Sequence, residues 1–132
     1  MTVREIEKLE RASQDYLWMV LKVQDDPGFY EFAKRSIQNH LTTNLCNTNS
    51  YFTGMVSTEA LLLPKSKRTK EHLYGMTKLA VDILNIKEPT AENIKAEVLD
   101  KGRFNLTTAN ENMILRNNNQ DYTKISTLVK IL

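Results

Sequence analysis

Apolar residues recur at helical spacing along most of this chain, and short polar breaks divide them into separate runs. Thr2 and Glu5 stand in the capping-box relation, and Val3, Ile6, Leu9, Leu17 and Val20 follow, which predicts an amphipathic helix over residues 3–23. Asp25 and Asp26 precede Pro27, and Phe29, Phe32, Ala33, Ile37 and Leu41 then fall at steps of three and four. A second helix is expected over residues 27–42, close enough to the first for an antiparallel hairpin. Residues 43–50 are rich in Asn and Thr, lack a period, and read as a loop.

Strand-like segments follow at residues 51–56 and 60–63, the second closed by Pro64, although Leu61, Leu62 and Leu63 suit a buried helix turn equally well. Thr69 is the expected cap of a third helix whose apolar positions Leu73, Met76, Leu79, Ala80 and Ile83 keep the 3.6 period, with Gly75 tolerated at about 1 kcal/mol. Pro89 and Thr90 open a shorter helix carrying Ala91, Ile94 and Val98 and stopping at Gly102. Residues 103–107 read as a strand. Thr108 and Glu111 form a second capping box leading into Met113 and Leu115, the run Asn117–Asn119 breaks that helix, and residues 122–132 suit an edge strand.

These elements describe an α+β fold, a mostly helical single domain over residues 1–132 with an N-terminal helix hairpin and a small β element. A length of 132 residues suffices for a real core, and 41% hydrophobic with 26% charged residues excludes wholesale disorder. Cys46 is the single cysteine, and His40 and His72 are the only histidines, so an internal disulfide and a structural zinc site are both excluded. Residues 36–58 carry no formal charge, yet five of them are Asn39, His40, Asn44, Asn47 and Asn49, too polar for a membrane span. The N-terminus lacks the basic-then-apolar pattern of a signal peptide. A cytoplasmic location and no membrane partner are the expectation.

Charge sharpens this picture only when resolved along the chain. The net charge of +2 argues against a diffuse basic coat, but residues 1–64 sum to −2 and residues 65–132 to +4. The excess lies in residues 65–78, where Lys65, Lys67, Arg68, Lys70 and Lys78 face Glu71 alone. If Thr69 starts a helix, Lys65, Lys67, Arg68 and Lys70 with Thr69 and Tyr74 would form a nucleic-acid-binding helix start, its unpaired N–H groups and cations meeting phosphate. The competing view is a solvated surface run. His72 is the one residue here whose ordinary pKa lies near neutrality, which makes it the candidate general acid or base, with Glu71 beside it to hold water or a metal. Such chemistry would use Mg²⁺ or another divalent metal whose ligands the sequence does not define. His40 reads as a packed histidine. Asn44, Asn47 and Asn49 with Tyr51 could read bases, or simply fill turns.

The string from Ser66 to Tyr74 resembles a Lys-Thr-x-Asp/Glu-His-x-Tyr core found in small phage-encoded proteins. The residues Thr107, Thr108, Glu111, Asn112, Leu115 and Tyr122 are similar to the closing segment of the same group. The resemblance, over about a quarter of the chain, is to phage endonucleases of the free-standing homing type. It implies site-specific cleavage of DNA with a divalent metal, with Thr69, Glu71, His72 and Tyr74 matching the core and Glu71 standing where aspartate is expected. The expected function is therefore a phage-type metal-dependent DNA endonuclease. The alternatives are a non-catalytic nucleic-acid-binding regulator, on DNA before RNA, and a small phage protein that inhibits a host protein through Phe29, Tyr30, Trp18 or Tyr16.

Overall fold

A computed structural model describes all 132 residues, Met1–Leu132. The fold is α+β and mostly helical, with six α-helices and one four-stranded mixed sheet. Two compact units are distinguishable, and each is assembled from two separate stretches of chain. Unit 1 comprises Met1–Tyr51 and Tyr74–Gly102, and unit 2 comprises Phe52–Leu73 and Arg103–Leu132.

Unit 1 is helical. Helix α1 (Val3–Asp25) starts where the Thr2 hydroxyl accepts from the Glu5 N–H, and helix α2 (Tyr30–His40) follows a 3₁₀ turn over Pro27–Phe29 capped by Asp26. Trp18 lies edge-on to Phe29 while Lys8 reaches the Asn44 carbonyl, so contacts run in opposite directions along the pair, as in an antiparallel hairpin. Helix α4 (Met76–Leu84) packs on α2, and helix α5 (Ala91–Lys101) packs on α1. The buried set Leu9, Tyr16, Val20, Ile37, Leu41, Leu79, Ile83, Ile94 and Val98 is the core these helices share. Tyr16 Oη and His40 Nδ1 are 2.6 Å apart, so His40 is indeed a packed histidine; burial, then Lys8, pushes its pKa down.

Unit 2 holds the sheet, in the order β2-β3-β1-β4: β1 (Phe52–Ser57), β2 (Thr69–His72), β3 (Phe104–Thr107) and β4 (Leu128–Lys130). β1 and β3 pair in parallel, and the outer strands β2 and β4 pair antiparallel to them. Gly54 adopts φ +88°, and the β1–β3 register shifts between Phe52 and Val56, a bulge that only a residue without a Cβ forms cheaply. Helix α6 (Ala109–Asn117) begins with the predicted capping box of Thr108 and Glu111, and contacts β2.

Two predicted elements form differently. The expected strand at residues 60–63 is instead the end of a short helix, α3 (Thr58–Leu61), whose start is fixed by the Ser57 hydroxyl accepting from the Ala60 N–H. The expected helix from Thr69 is also displaced: Lys65–Lys67 form a 3₁₀ turn and Thr69–His72 form β2. The helix begins only at Met76, after Gly75 at φ +84°, a conformation that interrupts any helix attempting to run through it.

Candidate nucleic-acid interface

β2 is an outer strand, and its side chains, like those of any strand, alternate between the two faces of the sheet. His72 pairs with Phe104 across β3 and meets its ring edge-on, with centroids 5.8 Å apart. Lys70 shares that face, its Nζ 5.3 Å from the Phe104 centroid, and Phe52 stacks on Phe104 from β1. Glu71 points the other way. There it is 1% exposed, 3.0 Å from Tyr122 Oη and 3.4 Å from Asn105 Nδ2, while Thr53 donates 2.6 Å to Asn105 Oδ1.

The proposed pairing of His72 with Glu71 is therefore not assembled, since neighbours on a strand face opposite sides. Burial raises the Glu71 pKa against the opposing hydrogen bonds from Tyr122 and Asn105. No three His, Cys, Asp or Glu side chains converge as a group that could hold a metal ion.

The basic stretch survives the loss of its helix in another form. Lys65, Lys67 and Lys70 are exposed, and Arg68 is half-buried with Nε–H donating 3.0 Å to the Ala60 carbonyl. Thr69 is a half-buried strand residue, not a cap. Tyr74 lies in unit 1, its hydroxyl donating to Asp82 and its ring 4.8 Å from Lys101 Nζ. The Asp82 bond raises the Tyr74 pKa and lowers that of Asp82. The Asn-rich segment is a π-helical turn over Leu41–Leu45 followed by turns, with Asn47 donating to the Thr43 carbonyl and Tyr51 buried.

Charge divides by unit more sharply than by position in the chain. Unit 2 carries eight Lys and Arg against four acids, and unit 1 carries ten against twelve. Two of the four acids in unit 2, Glu71 and Glu111, are each 1% exposed, so only Glu59 and Asp121 offset eight cations at its surface. Burial alone would raise the Glu111 pKa, but hydrogen bonds from Ser126, Ser57 and the Thr108 N–H together hold it below the usual range. Sequence reading missed this sorting because nothing in a polar strand such as Thr-Lys-Glu-His marks the carboxylate as the inward residue.

Unit 1 has a different exposed feature. Trp18 is 59% and Phe32 56% exposed, with Phe29 between them and Lys22 Nζ within 6 Å of both the Trp18 and Phe29 rings. Tyr16, expected at this surface, is buried. No helix is long and apolar enough to cross a membrane. No family model, curated protein or solved structure matches the chain.

Proposed function

We propose that this protein binds nucleic acid, DNA in the first instance, through phosphate contacts made by unit 2 and centred on Lys65, Lys67, Arg68 and Lys70. The supporting observation is the disposition of charge in that unit: Lys65 and Lys67 lie on an exposed turn and Lys70 on an outer strand, while two of the unit's four acids, Glu71 and Glu111, are buried. A surface of that kind attracts a polyanion through counterion release and needs no catalytic group. Hydrolysis is not required by this reading, since Glu71 serves a buried network and His72 packs on Phe104.

Fluorescence anisotropy with a labelled duplex across a salt series tests it. Replacing Lys65, Lys67 and Lys70 together by Ala should weaken binding at least tenfold and flatten the salt dependence by about 0.9 in slope for each lost phosphate contact. Unchanged binding would refute the proposal. Plasmid nicking with Mg²⁺ or Mn²⁺ that disappears in His72→Ala would replace it with a hydrolytic function.

The aromatic cluster of unit 1 favours a second activity, binding of a protein partner, because exposed Trp and Phe supply interface anchors. Loss of a stable complex in Trp18→Ala, with nucleic-acid binding retained, would distinguish that activity.

A further inference from the structure

The most exposed large apolar side chain in the protein is Leu62, at 86%, and its neighbour Leu61 is 39% exposed. Both lie at the end of α3, immediately before Pro64 and the cationic turn. We propose that Leu61 and Leu62 form a wedge that enters a DNA duplex between base pairs from the minor groove, while Lys65, Lys67 and Arg68 hold the flanking phosphates. The wedge rests on the nucleic-acid partner proposed above and specifies its form as duplex.

The tip is braced before any partner arrives. Ser57 Oγ accepts from the Ala60 N–H at 3.1 Å, the Leu62 N–H donates to the Glu59 carbonyl at 3.2 Å, and the Leu63 N–H donates to the Ala60 carbonyl at 3.0 Å. Arg68 Nε–H donates to the same Ala60 carbonyl, which ties the cationic arm of the loop back to the leucine arm. From the opposite side, the Thr58 N–H donates to the Thr127 carbonyl and the Glu59 N–H to Ser126 Oγ. Little backbone order remains to be lost on binding, the condition under which a small apolar contact contributes affinity.

The chemistry selects among polyanions. Residues 58–70 hold the cations Lys65, Lys67, Arg68 and Lys70 and one acid, the exposed Glu59, so the charge of the segment that carries the leucines is complementary to phosphate. Stacking of single-stranded bases uses flat rings, but in unit 2 Phe104 is buried and Phe52, His72 and Tyr122 are half-buried. Leu61, the last residue of a four-residue helix, and Leu62, its C-cap, together offer far less apolar area than an amphipathic helix commits to a bilayer. One or two aliphatic side chains flanked by cations are what unstacks a base step and bends a duplex.

A duplex carrying a fluorophore pair at its ends and 2-aminopurine at its centre reads both bending and unstacking. The wild-type protein should raise energy transfer and 2-aminopurine emission. Leu61→Ala/Leu62→Ala, altered only at exposed positions and checked for an unchanged Tm, should abolish both signals and lose about tenfold in affinity while keeping the salt slope. A leucine variant that binds and bends like the wild type would overturn the wedge and leave the nucleic-acid partner standing, as would preference for single strands. Unaltered binding in the lysine variant, or no binding of any nucleic acid, would remove the partner itself. Co-sedimentation with phosphatidylserine vesicles that depends on the two leucines, without duplex bending, would assign the tip to a lipid surface and overturn the proposal.

Discussion

The phenol of Tyr122 lies 3.0 Å from both carboxylate oxygens of Glu71, joining the turn at Tyr122–Lys124 to an outer strand 51 positions earlier in the chain. Glu71 is fully buried, and hydrogen-bond donors face it there with no salt-bridged cation. Two short stretches that stand out separately in the sequence thus meet in a single buried contact.

That contact sets a pH dependence. The Glu71 pKa is raised above its ordinary 4.5, so between 4.5 and the raised value the folded state holds more protons than the unfolded state. Stability contributed by Glu71 therefore falls as pH rises through that interval. Glu71→Gln, which keeps the shape and an acceptor for Tyr122, should gain stability relative to the wild type between pH 4 and pH 8 in urea unfolding. A difference independent of pH would show that Glu71 is not destabilised by burial.

Tyr122→Phe removes the donor and leaves Glu71 with Asn105 alone, at a cost of about 1–3 kcal/mol. The cost should be larger at pH 8 than at pH 4, because the ionised carboxylate depends more on the phenol. Equal losses at the two pH values would mean that Tyr122 contributes packing only.

Glu111 answers to the opposite sign. Its carboxylate accepts from Ser57 Oγ at 2.5 Å, Ser126 Oγ at 2.5 Å, the Ser126 N–H at 3.0 Å and the Thr108 N–H at 3.1 Å, and its pKa is lowered. The stability it contributes is present above its ordinary 4.5 and lost as pH falls through the lowered value. Glu111→Gln should cost about 2–4 kcal/mol at pH 7, with the gap to the wild type narrowing in acid. Amide exchange at residues 126–130 should quicken with it, and an unchanged Tm would disprove this account.

Much of the helical frame was legible from caps. Thr2, Thr90 and Thr108 each accept from the N–H three residues on, and Gly102 closes α5, as the side-chain pattern predicts. β3 and the edge strand β4 were also readable. β2 was not, because Leu73 continues the 3.6 period of Met76, Leu79 and Ile83 by coincidence while remaining 43% exposed, and Gly75 breaks the backbone between them. The basic residues were found by their density, but their helix was not real, and the inward turn of Glu71 has no apolar pattern to announce it. Leu61–Leu63 suited a strand and a helix turn equally, and the Ser57 cap decides for the helix.

Gly102 is a packing requirement of unit 1. A Cβ there would stand 2.6 Å from the Val98 carbonyl oxygen and 2.7 Å from Cys46 Sγ. Gly102→Ala should cost about 1–3 kcal/mol, since backbone cannot yield as a side chain can. Burial pushes the Cys46 thiol up to about 12, so it should ignore a disulfide reagent at pH 8 in the native wild type and react faster in the variant. A native thiol that reacts at once would contradict the buried placement.

The alternation of the two units along the chain governs how the protein must fold. β1 finds β3, and the Leu73 N–H finds the Arg103 carbonyl, only after residues 74–102 have been carried past as a closed loop whose own contacts belong to unit 1. The entropy of that closure grows slowly with loop length, and the helices of unit 1, rich in local contacts, can shorten it in advance. The sheet that presents the cationic turn therefore depends on that closure, and neither unit can be isolated by cutting the chain at a single point.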